Sequence, residues 1–504
     1  MSVETELKLR IAPEHMARLK RDPLLKTMAA GRASTRRLHN VYFDTPSLDL
    51  HRHQMALRLR RVGGTWLQTL KGGGGVEAGL HSRNEWEMQV PRGELDLDAL
   101  KASGAQLPRA AKKKLQPVFS TDFTRNMRQL KFDGADIELC MDSGKIIAGA
   151  KSRPICELEL ELKSGEPRQL FGLALALLDI VPLEVEHASK AEYGYRLYRG
   201  GKSSAAKAQL PPLEQTQDIA AALRNMIFAC LLHVQANVPG AIGKLDEEYL
   251  HQVRVGLRRL RVALAMAGRH RQDAELNDLR QQVGELCTKL GRARDWDVFV
   301  TQTLAPICAQ FPEHAGLRAV MRASKNNRRL QNGSMRAILA SNDFNRLLLR
   351  IGGWMQGGYW KEFTSPGSSP RQAGLLEFAT NALEKRGKQV KRSGMQLEEG
   401  DAAQLHAMRI ACKKLRYSAE IFRSLFGAAK TGRYLASLAR LQDIMGVLND
   451  ITVARRLLDE IGDKTKSRAT HALILGWMEH GQARRKAELK RHWKRFSEQA
   501  AFWD

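Results

Sequence analysis

Aromatic residues are scarce in this 504-residue chain: Phe, Trp and Tyr together make up 6%. Proteins that read single-stranded RNA or DNA stack the bases on aromatic platforms. The scarcity therefore argues against specific nucleic-acid recognition. The six cysteines, Cys140, Cys156, Cys230, Cys287, Cys308 and Cys412, form no CxxC pair. Neither a thiolate metal site nor a disulfide framework is expected, and reduced, mostly buried thiols in a cytoplasmic protein are. The N-terminus has no apolar h-region, and no apolar run reaches the roughly 18 residues of a membrane span. Neither a signal peptide nor a membrane span is expected.

Acidic residues are outnumbered. There are 81 Lys+Arg and 54 Asp+Glu, a formal net charge of +27. Such a balance predicts a polyanionic partner. With few aromatics, a backbone-only polyanion suits it better than a base-bearing one. The excess is uneven: residues 1–200 hold 32 basic and 25 acidic groups, and the remainder holds 49 and 29. The two parts also differ in period. Residues 1–200 alternate with period two, whereas residues 216–504 are rich in Ala, Leu, Arg and Gln at helical spacing. A Gly/Ser/Pro-containing stretch over 201–215 reads as the linker.

Eight strands are expected in the first part, at 3–11, 37–45, 55–62, 65–71, 82–90, 119–132, 135–147 and 155–163. Side chains on a strand alternate between faces, so parity sorts them. Glu4, Glu6, Lys8 and Arg10 share one face of the first strand. Arg58 and Arg60 oppose Leu57 and Leu59 on the third. Arg83, Glu85 and Glu87 oppose Trp86 and Met88 on the fifth. Asp136, Glu138 and Asp142 oppose Ile137, Leu139 and Met141 on the seventh. Glu157, Glu159, Glu161 and Lys163 oppose Leu158, Leu160 and Leu162 on the eighth. A solvated sheet face explains any one of these strands. Dense charge of both signs on several strands points instead to a closed antiparallel barrel with a charged lumen. Its apolar outside would be covered by helices near 13–29, 96–104 and 168–178. Carboxylates bind Mg²⁺ or Mn²⁺, and Arg and Lys bind phosphate oxygens. Such a lumen suits a metal–polyphosphate complex and, with two metal ions, phosphoanhydride hydrolysis.

The segment Glu4-Thr5-Glu6-Leu7-Lys8 matches the ExExK signature of the CYTH superfamily, the triphosphate tunnel metalloenzymes. Other segments agree in order: 41–46 (VYFDTP), 56–60 (ALRLR), 69–71 (TLK), Arg83 with Glu85 and Glu87, 121–125 (TDFTR), 156–162 (CELELEL) and 189–195 (SKAEYGY). The ordered set spans residues 1–200, which resemble a CYTH domain. The resemblance implies an eight-stranded antiparallel tunnel, α+β with its covering helices, that cleaves the terminal phosphate of a triphosphate. Glu4, Glu6, Lys8, Lys71 and Glu85 are the catalytic residues it implies. Lys8, Arg58, Arg60, Lys71, Arg125 and Lys190 form the phosphate cradle. Glu4, Glu6, Asp142, Glu157, Glu159 and Glu161 are metal ligands for Mg²⁺ or Mn²⁺, with two ions expected. Glu87 and Glu138 join Glu85 and Asp142 as candidates for holding a second metal or orienting the water. Relatives place a basic residue just before the aromatic pair of the second strand. Arg37 and His39 are the two candidates here.

The second part contains a repeat. His251, Arg254, Arg258 and Arg261 recur as His406, Arg409, Lys413 and Arg416 at a constant offset of 155 residues. Leu286/Leu441, Gly291/Gly446, Asp295/Asp450 and Val298/Val453 keep the same offset, as a duplicated helical unit would. At roughly 100° per residue each motif forms one basic stripe beside an apolar one. The first apolar stripe is Val253, Leu257, Leu260 and Leu264; the second includes Cys412, Leu415 and Ala419. No acidic residue lies between Glu248 and His270, or between Asp401 and Glu420. Solvated helix faces usually intersperse Glu, so these stripes read as a polyanion surface. Asp295 and Asp450 are expected to pair with arginine or cap a helix. The two histidines are expected to bond within the bundle or to touch phosphate.

The duplicated motif resembles the CHAD domain, over residues 216–504. That resemblance implies an all-α domain of two pseudo-symmetric four-helix bundles, about 216–350 and 371–504, joined by a loop at 352–370. It also implies polyphosphate binding by the eight stripe residues, and thereby association with polyphosphate granules. The pairing of the two domains points to an inorganic triphosphatase, releasing pyrophosphate and phosphate. The alternatives are an organic triphosphate substrate (thiamine triphosphate or a nucleotide) and a polyphosphate-bound scaffold with little turnover.

Overall fold

A computed structural model describes the chain apart from residues 1, 78, 92, 113, 202–203, 244–245, 269–272, 364–373, 396–401 and 463–467. The described residues form two compact units. The first takes the chain up to Lys207 with Leu231–Tyr249 and Leu339–Glu362. The second takes Ala208–Cys230, Leu250–Ile338 and Phe363–Asp504.

The first unit is built on strands β1 (Ser2–Ile11), β2 (Ser34–Asp44), β3 (Ala56–Val62), β4 (Thr65–Glu77), β5 (Leu80–Val90), β6 (Gln116–Phe132), β7 (Ala135–Ala148), β8 (Lys151–Ser164) and β9 (Leu183–Val185). They hydrogen-bond in the order β5-β4-β3-β2-β6-β7-β8-β1-β9, and β5 also pairs with β1. That last antiparallel pairing, Ser2↔Glu85 through Leu7↔Leu80, closes an eight-stranded barrel. β9 pairs with the far end of β1, at Leu9–Ile11. β4 runs past the expected end at residue 71 because its glycines make a bulge instead of a turn. The register slips between Gly72 and Gly75. Gly74 has φ +76°, and a Cβ there would lie 1.8 Å from the Ser82 carbonyl oxygen, so only glycine fits.

Helices α1 (Pro13–Arg21), α2 (Pro23–Thr27), α3 (Asp49–Arg52), α4 (Leu97–Ala102), α5 (Pro167–Ile180) and α6 (Lys190–Arg199) complete the barrel's surroundings. The helix expected over 13–29 is split by Pro23, where the Asp22 side chain instead accepts from Leu24 N at 2.9 Å and starts α2. Leu50 of α3 and Leu100 of α4 pack with Leu57 and Leu70, the outward residues of β3 and β4. The inner face carries a second apolar cluster at one end of the barrel. There Leu38, Tyr42, Phe119 and Phe123 meet Ala191 and Tyr195 of α6.

The remaining helices are α7 (Ile219–Ile242), α8 (Glu247–Ala267), α9 (Ala274–Val298), α10 (Ala305–Gln310), α11 (Ala315–Leu339), α12 (Asn342–Met355), α13 (Gly358–Phe363), α14 (Leu375–Met395), α15 (Ala402–Phe422), α16 (Ala428–Ile461), α17 (Arg468–Glu479) and α18 (Gln482–Glu498). α8 and α15 begin and end at the same 155-residue offset as the sequence repeat. Trp296, Phe299, Leu317, Val320, Leu457 and Ile474 make one core of the second unit. Arg259 of α8 pairs with Glu420 of α15 at 2.6 Å. Among the described residues α7 alone is long and apolar enough to cross a membrane. Much of it is buried, and it carries buried polar side chains such as His233, Gln235 and Asn237.

Gly352 and Gly353, read from sequence as the start of a loop, lie inside α12. α12 packs on α5, and a Cβ on Gly352 would lie 2.3 Å from the Phe171 ring. The pair is glycine for close approach, not for a turn. Of the rest of that expected loop, α12 runs on to Met355 and α13 takes Gly358–Phe363, while residues 364–370 lie outside the described residues.

Candidate active site

Parity becomes geometry in the barrel. A cavity of about 370 Å³ is lined by Glu4, Glu6 and Lys8 of β1, Arg58 and Arg60 of β3, and Lys71 of β4. Arg83, Glu85 and Glu87 of β5, Arg125 of β6, Glu138 of β7, and Glu159, Glu161 and Lys163 of β8 complete the charged wall. Lys190 enters from α6. Ser189 caps that helix by accepting from Glu192 N, which sets Lys190 at its first turn. Arg36 also lines the cavity, whereas the β2 candidates Arg37 and His39 lie on the opposite face. Arg37 instead makes a bidentate pair with Asp122, at 3.1 and 2.9 Å.

Two groups of carboxylates differ in their partners. Asp142, Glu157 and Glu159 are buried and bring carboxylate oxygens within 4.8 Å of one another. Lys190 Nζ lies between them, 2.7 Å from Asp142 and 2.9 Å from Glu159, and bonds to Glu157 as well. Arg125 grips Asp142 at 2.8 and 2.6 Å and reaches Glu159. Lys8 bonds to Glu159 and sits 2.9 Å from Glu6. Burial would raise the Glu159 carboxyl, but Lys190, Lys8 and Arg125 hold it well below its usual value. Burial opposes the charge on Lys190, and the three carboxylates override it and raise its pKa. This inner group is therefore already charge-compensated. Neither Asp142 nor Glu157 lines the cavity; Asp142 reaches it through Lys190 and Arg125, and Glu157 through Lys190.

The outer group faces the cavity. Glu4 pairs with Lys71, which lies 3.6 Å from Glu85, and Arg58 approaches Glu85 at 3.8 Å. Glu161 takes Lys163 at 2.5 Å. Glu6 would be raised by burial, but Lys8 draws its pKa down to about 2. Arg60 has no carboxylate within salt-bridge distance among the described residues. Its Nε donates to Asn40 at 2.8 Å. Burial, and then Arg58 and Arg125, lower its pKa to about 10. Arg58 keeps a buried Nε–H without an acceptor. Arg58 thus presents a cationic donor that the protein does not satisfy, and Arg36 and Arg60 make no salt bridge among the described residues. His81 went unnoticed in the sequence. It sits on the Arg83 face of β5, buried, with both ring nitrogens unpartnered. Burial, then Lys8, lowers its pKa to about 3, so the ring is neutral.

The helical repeat forms a second charged site. Arg254 and Arg258 of α8 face Arg409 and Lys413 of α15. Burial, then Arg258, lowers Arg254 to about 10. Burial, then Arg409, Arg258, Arg254 and Arg416, brings Lys413 to about 7. Arg261 and Arg416 end the stripes, and Arg416 reaches Glu420 at 3.4 Å. His406 Nδ1 lies 3.3 Å from Asn449 Oδ1, and His251 is half-buried on the same stripe as Arg254. Asp295 pairs with Arg456 at 2.6 Å, and Asp450 acts on Arg409.

A charged antiparallel tunnel joined to a basic helical repeat defines the class of protein. Residues 2–195 match the CYTH domain and residues 225–459 the CHAD domain, so the chain is a CYTH–CHAD protein. It is 36% identical over 197 residues to an inorganic triphosphatase of Haemophilus influenzae. That alignment covers 39% of this chain and 55% of the relative, about half the relative's length. An uncharacterized protein of Mycobacterium tuberculosis is 27% identical over 422 residues, 76% of each chain. The crystal structure of the CHAD domain from the plant Ricinus communis is similar with a TM-score of 0.52 and 29% identity. It covers 59% of this chain and 98% of that one.

Proposed function

We propose that the tunnel hydrolyses inorganic triphosphate to pyrophosphate and phosphate with Mg²⁺ or Mn²⁺, and that the α8–α15 cluster binds polyphosphate. The observation that carries the first part is the cavity wall, where cationic donors short of partners face carboxylates across about 370 Å³. Lys8, Arg58, Arg60, Lys71, Arg125 and Lys190 hold the phosphate oxygens, as does Arg36. The donor set fits a hard divalent ion, because every candidate ligand is a carboxylate oxygen. Glu4, Glu6 and Glu161 line the cavity and would hold it; Glu159 and the buried Asp142 and Glu157 would do so only if Lys190 moved aside. Bound ions neutralise phosphate charge and polarise the phosphoryl group under attack. Glu85, between Lys71 and Arg58, accepts the proton of the attacking water. The name of the Haemophilus relative supports inorganic triphosphate as substrate. The cationic pairing of α8 with α15 supports polyphosphate as ligand, and such binding would associate the protein with polyphosphate granules in the cytoplasm.

The test is phosphate release from triphosphate, pyrophosphate, ATP, thiamine triphosphate and long-chain polyphosphate, with Mg²⁺, Mn²⁺ or EDTA. Triphosphate should turn over fastest, only with metal, and Glu6→Ala should abolish it. Faster turnover of an organic triphosphate would change the substrate assignment. Near-normal turnover in Glu6→Ala would overturn the site.

A further inference from the structure

Helix α11 carries six basic residues and no acidic one, within a stretch free of Asp and Glu from His314 to Asn342. At roughly 100° per residue, Arg318, Arg322, Lys325, Arg329 and Arg336 fall within an arc of about 60°. The first four are exposed, while Leu317, Val320, Met335 and Leu339, on the face beside that arc, are buried. Arg318 approaches Glu313 at 3.6 Å. Arg322, Lys325 and Arg329 make no salt bridge among the described residues. Like charges three and four residues apart repel along a helix. An exposed stripe without interspersed carboxylates is stable in company with an anion that spans it. From Arg318 to Arg329 it runs roughly 16 Å along the axis.

Beside the stripe, α11 meets the cluster between α8 and α15. Arg328 Nε donates to the buried Asp297 at 2.7 Å, and Asn332 reaches the same oxygen at 3.4 Å. Arg254 of α8, Arg294 of α9 and Arg336 of α11 all act on that carboxylate. Asp297 is thus the pivot where α11 meets the paired stripes. α11 has no aromatic residue, so nothing on it would stack a base.

We propose that the exposed face of α11 is a second polyanion track, occupied by the distal part of a polyphosphate chain whose near part lies on the α8–α15 cluster. It rests on the polyphosphate reading of that cluster. It makes binding dependent on chain length, because only a long chain reaches Arg329, Lys325 and Arg322.

The test uses the full-length chain with EDTA, so that turnover is stopped, and fluorescent short- and long-chain polyphosphate over a salt series. The variant Arg322→Gln/Lys325→Gln/Arg329→Gln changes exposed positions only. It should weaken long-chain binding about tenfold or more and flatten the slope of log affinity against log salt by about 2, at roughly 0.7 per lost contact. Short-chain binding should be unchanged. Equal losses for both lengths, or none for the long chain, overturn the track. A companion variant, Arg254→Gln/Arg409→Gln, should weaken both lengths. If it leaves both unchanged, the reading of the cluster itself fails. A single-stranded oligonucleotide bound as tightly as long-chain polyphosphate, and lost in the α11 variant, would make the track a nucleic-acid surface and overturn the assignment.

Discussion

If the α8–α15 cluster binds polyphosphate as proposed, Lys413 should make that binding weaken as pH rises above about 7. Where the first repeat has Arg258, the second has lysine, half-buried and faced by Arg409, Arg258, Arg254 and Arg416. Burial and those four cations lower its pKa from 10.5 to about 7. A polyanion lying on the cluster needs the charged form, so binding takes up a proton whenever the free protein has lost it. Affinity is then level below pH 7 and falls as pH rises above it. The ceiling is tenfold per pH unit, about 1.4 kcal/mol. Solvent screening at a half-buried position reduces it. Stability of the free protein runs the other way. The fold disfavours charged Lys413, so its contribution improves as pH climbs from about 7 towards 10.5. The assay is polyphosphate affinity at fixed ionic strength from pH 6 to 9, with EDTA, for the native chain and Lys413→Arg. Arginine stays charged throughout, so the variant should lose the decline above pH 7. A flat profile for the native chain, or an undiminished slope in Lys413→Arg, would refute the reasoning.

Three further outcomes follow from the barrel. Lys190→Met leaves Asp142, Glu157 and Glu159 with one fewer cation among them. It should destabilise the protein by about 3–5 kcal/mol at pH 7, with partial recovery in acid as the carboxylates protonate; urea midpoints across pH measure both. EDTA should stop phosphate release while shifting the melting temperature little, because Lys8, Arg125 and Lys190 already satisfy the inner carboxylates. A large drop in melting temperature would show that metal, not lysine, holds that group together. Gly352→Ala drives a methyl into the Phe171 ring and should destabilise by about 1–3 kcal/mol, read as a lowered melting temperature.

The lumen was legible because strand side chains alternate strictly, and leucines mark the outward face of β3 and β8 as plainly as charges mark the inward one. Once Arg58 and Glu159 were assigned inward, their neighbours two residues away followed. The helical repeat was legible to the residue, since α8 and α15 share one offset. What escaped was set by long-range register or contact. Arg36 was missed because β2 starts at Ser34, not at residue 37; on the longer strand Arg36 shares the inward face of Leu38 and Tyr42, and Arg37 takes the opposite face. That Asp142 sits opposite Glu157 is a consequence of β7–β8 register, and no local pattern announces it. Gly352 looked like a loop because its true constraint, the Phe171 ring, lies 181 positions away in the sequence. His81 stood in a strand of charges and carried no signal of its own.

The two charged sites store their cations differently, and that difference predicts how each meets a polyanion. In the barrel Lys8, Lys71, Arg125 and Lys190 are each bonded to carboxylates. A triphosphate entering there exchanges one set of anionic partners for another. Negative charge from substrate and from Glu4, Glu6 and Glu161 then accumulates in a buried space, which a divalent ion offsets. Binding in the tunnel should therefore be weak without metal and only modestly dependent on monovalent salt. On α8 and α15 the cations outnumber their acidic neighbours, and burial, together with repulsion from neighbouring cations, lowers Arg254, Arg409 and Lys413. A polyphosphate chain bound there would relieve that repulsion and release its counterions, so the proposed binding should need no divalent ion and should fall steeply with salt. Measured on one protein, triphosphate binding that requires metal and polyphosphate binding that does not would separate the two sites without a single substitution.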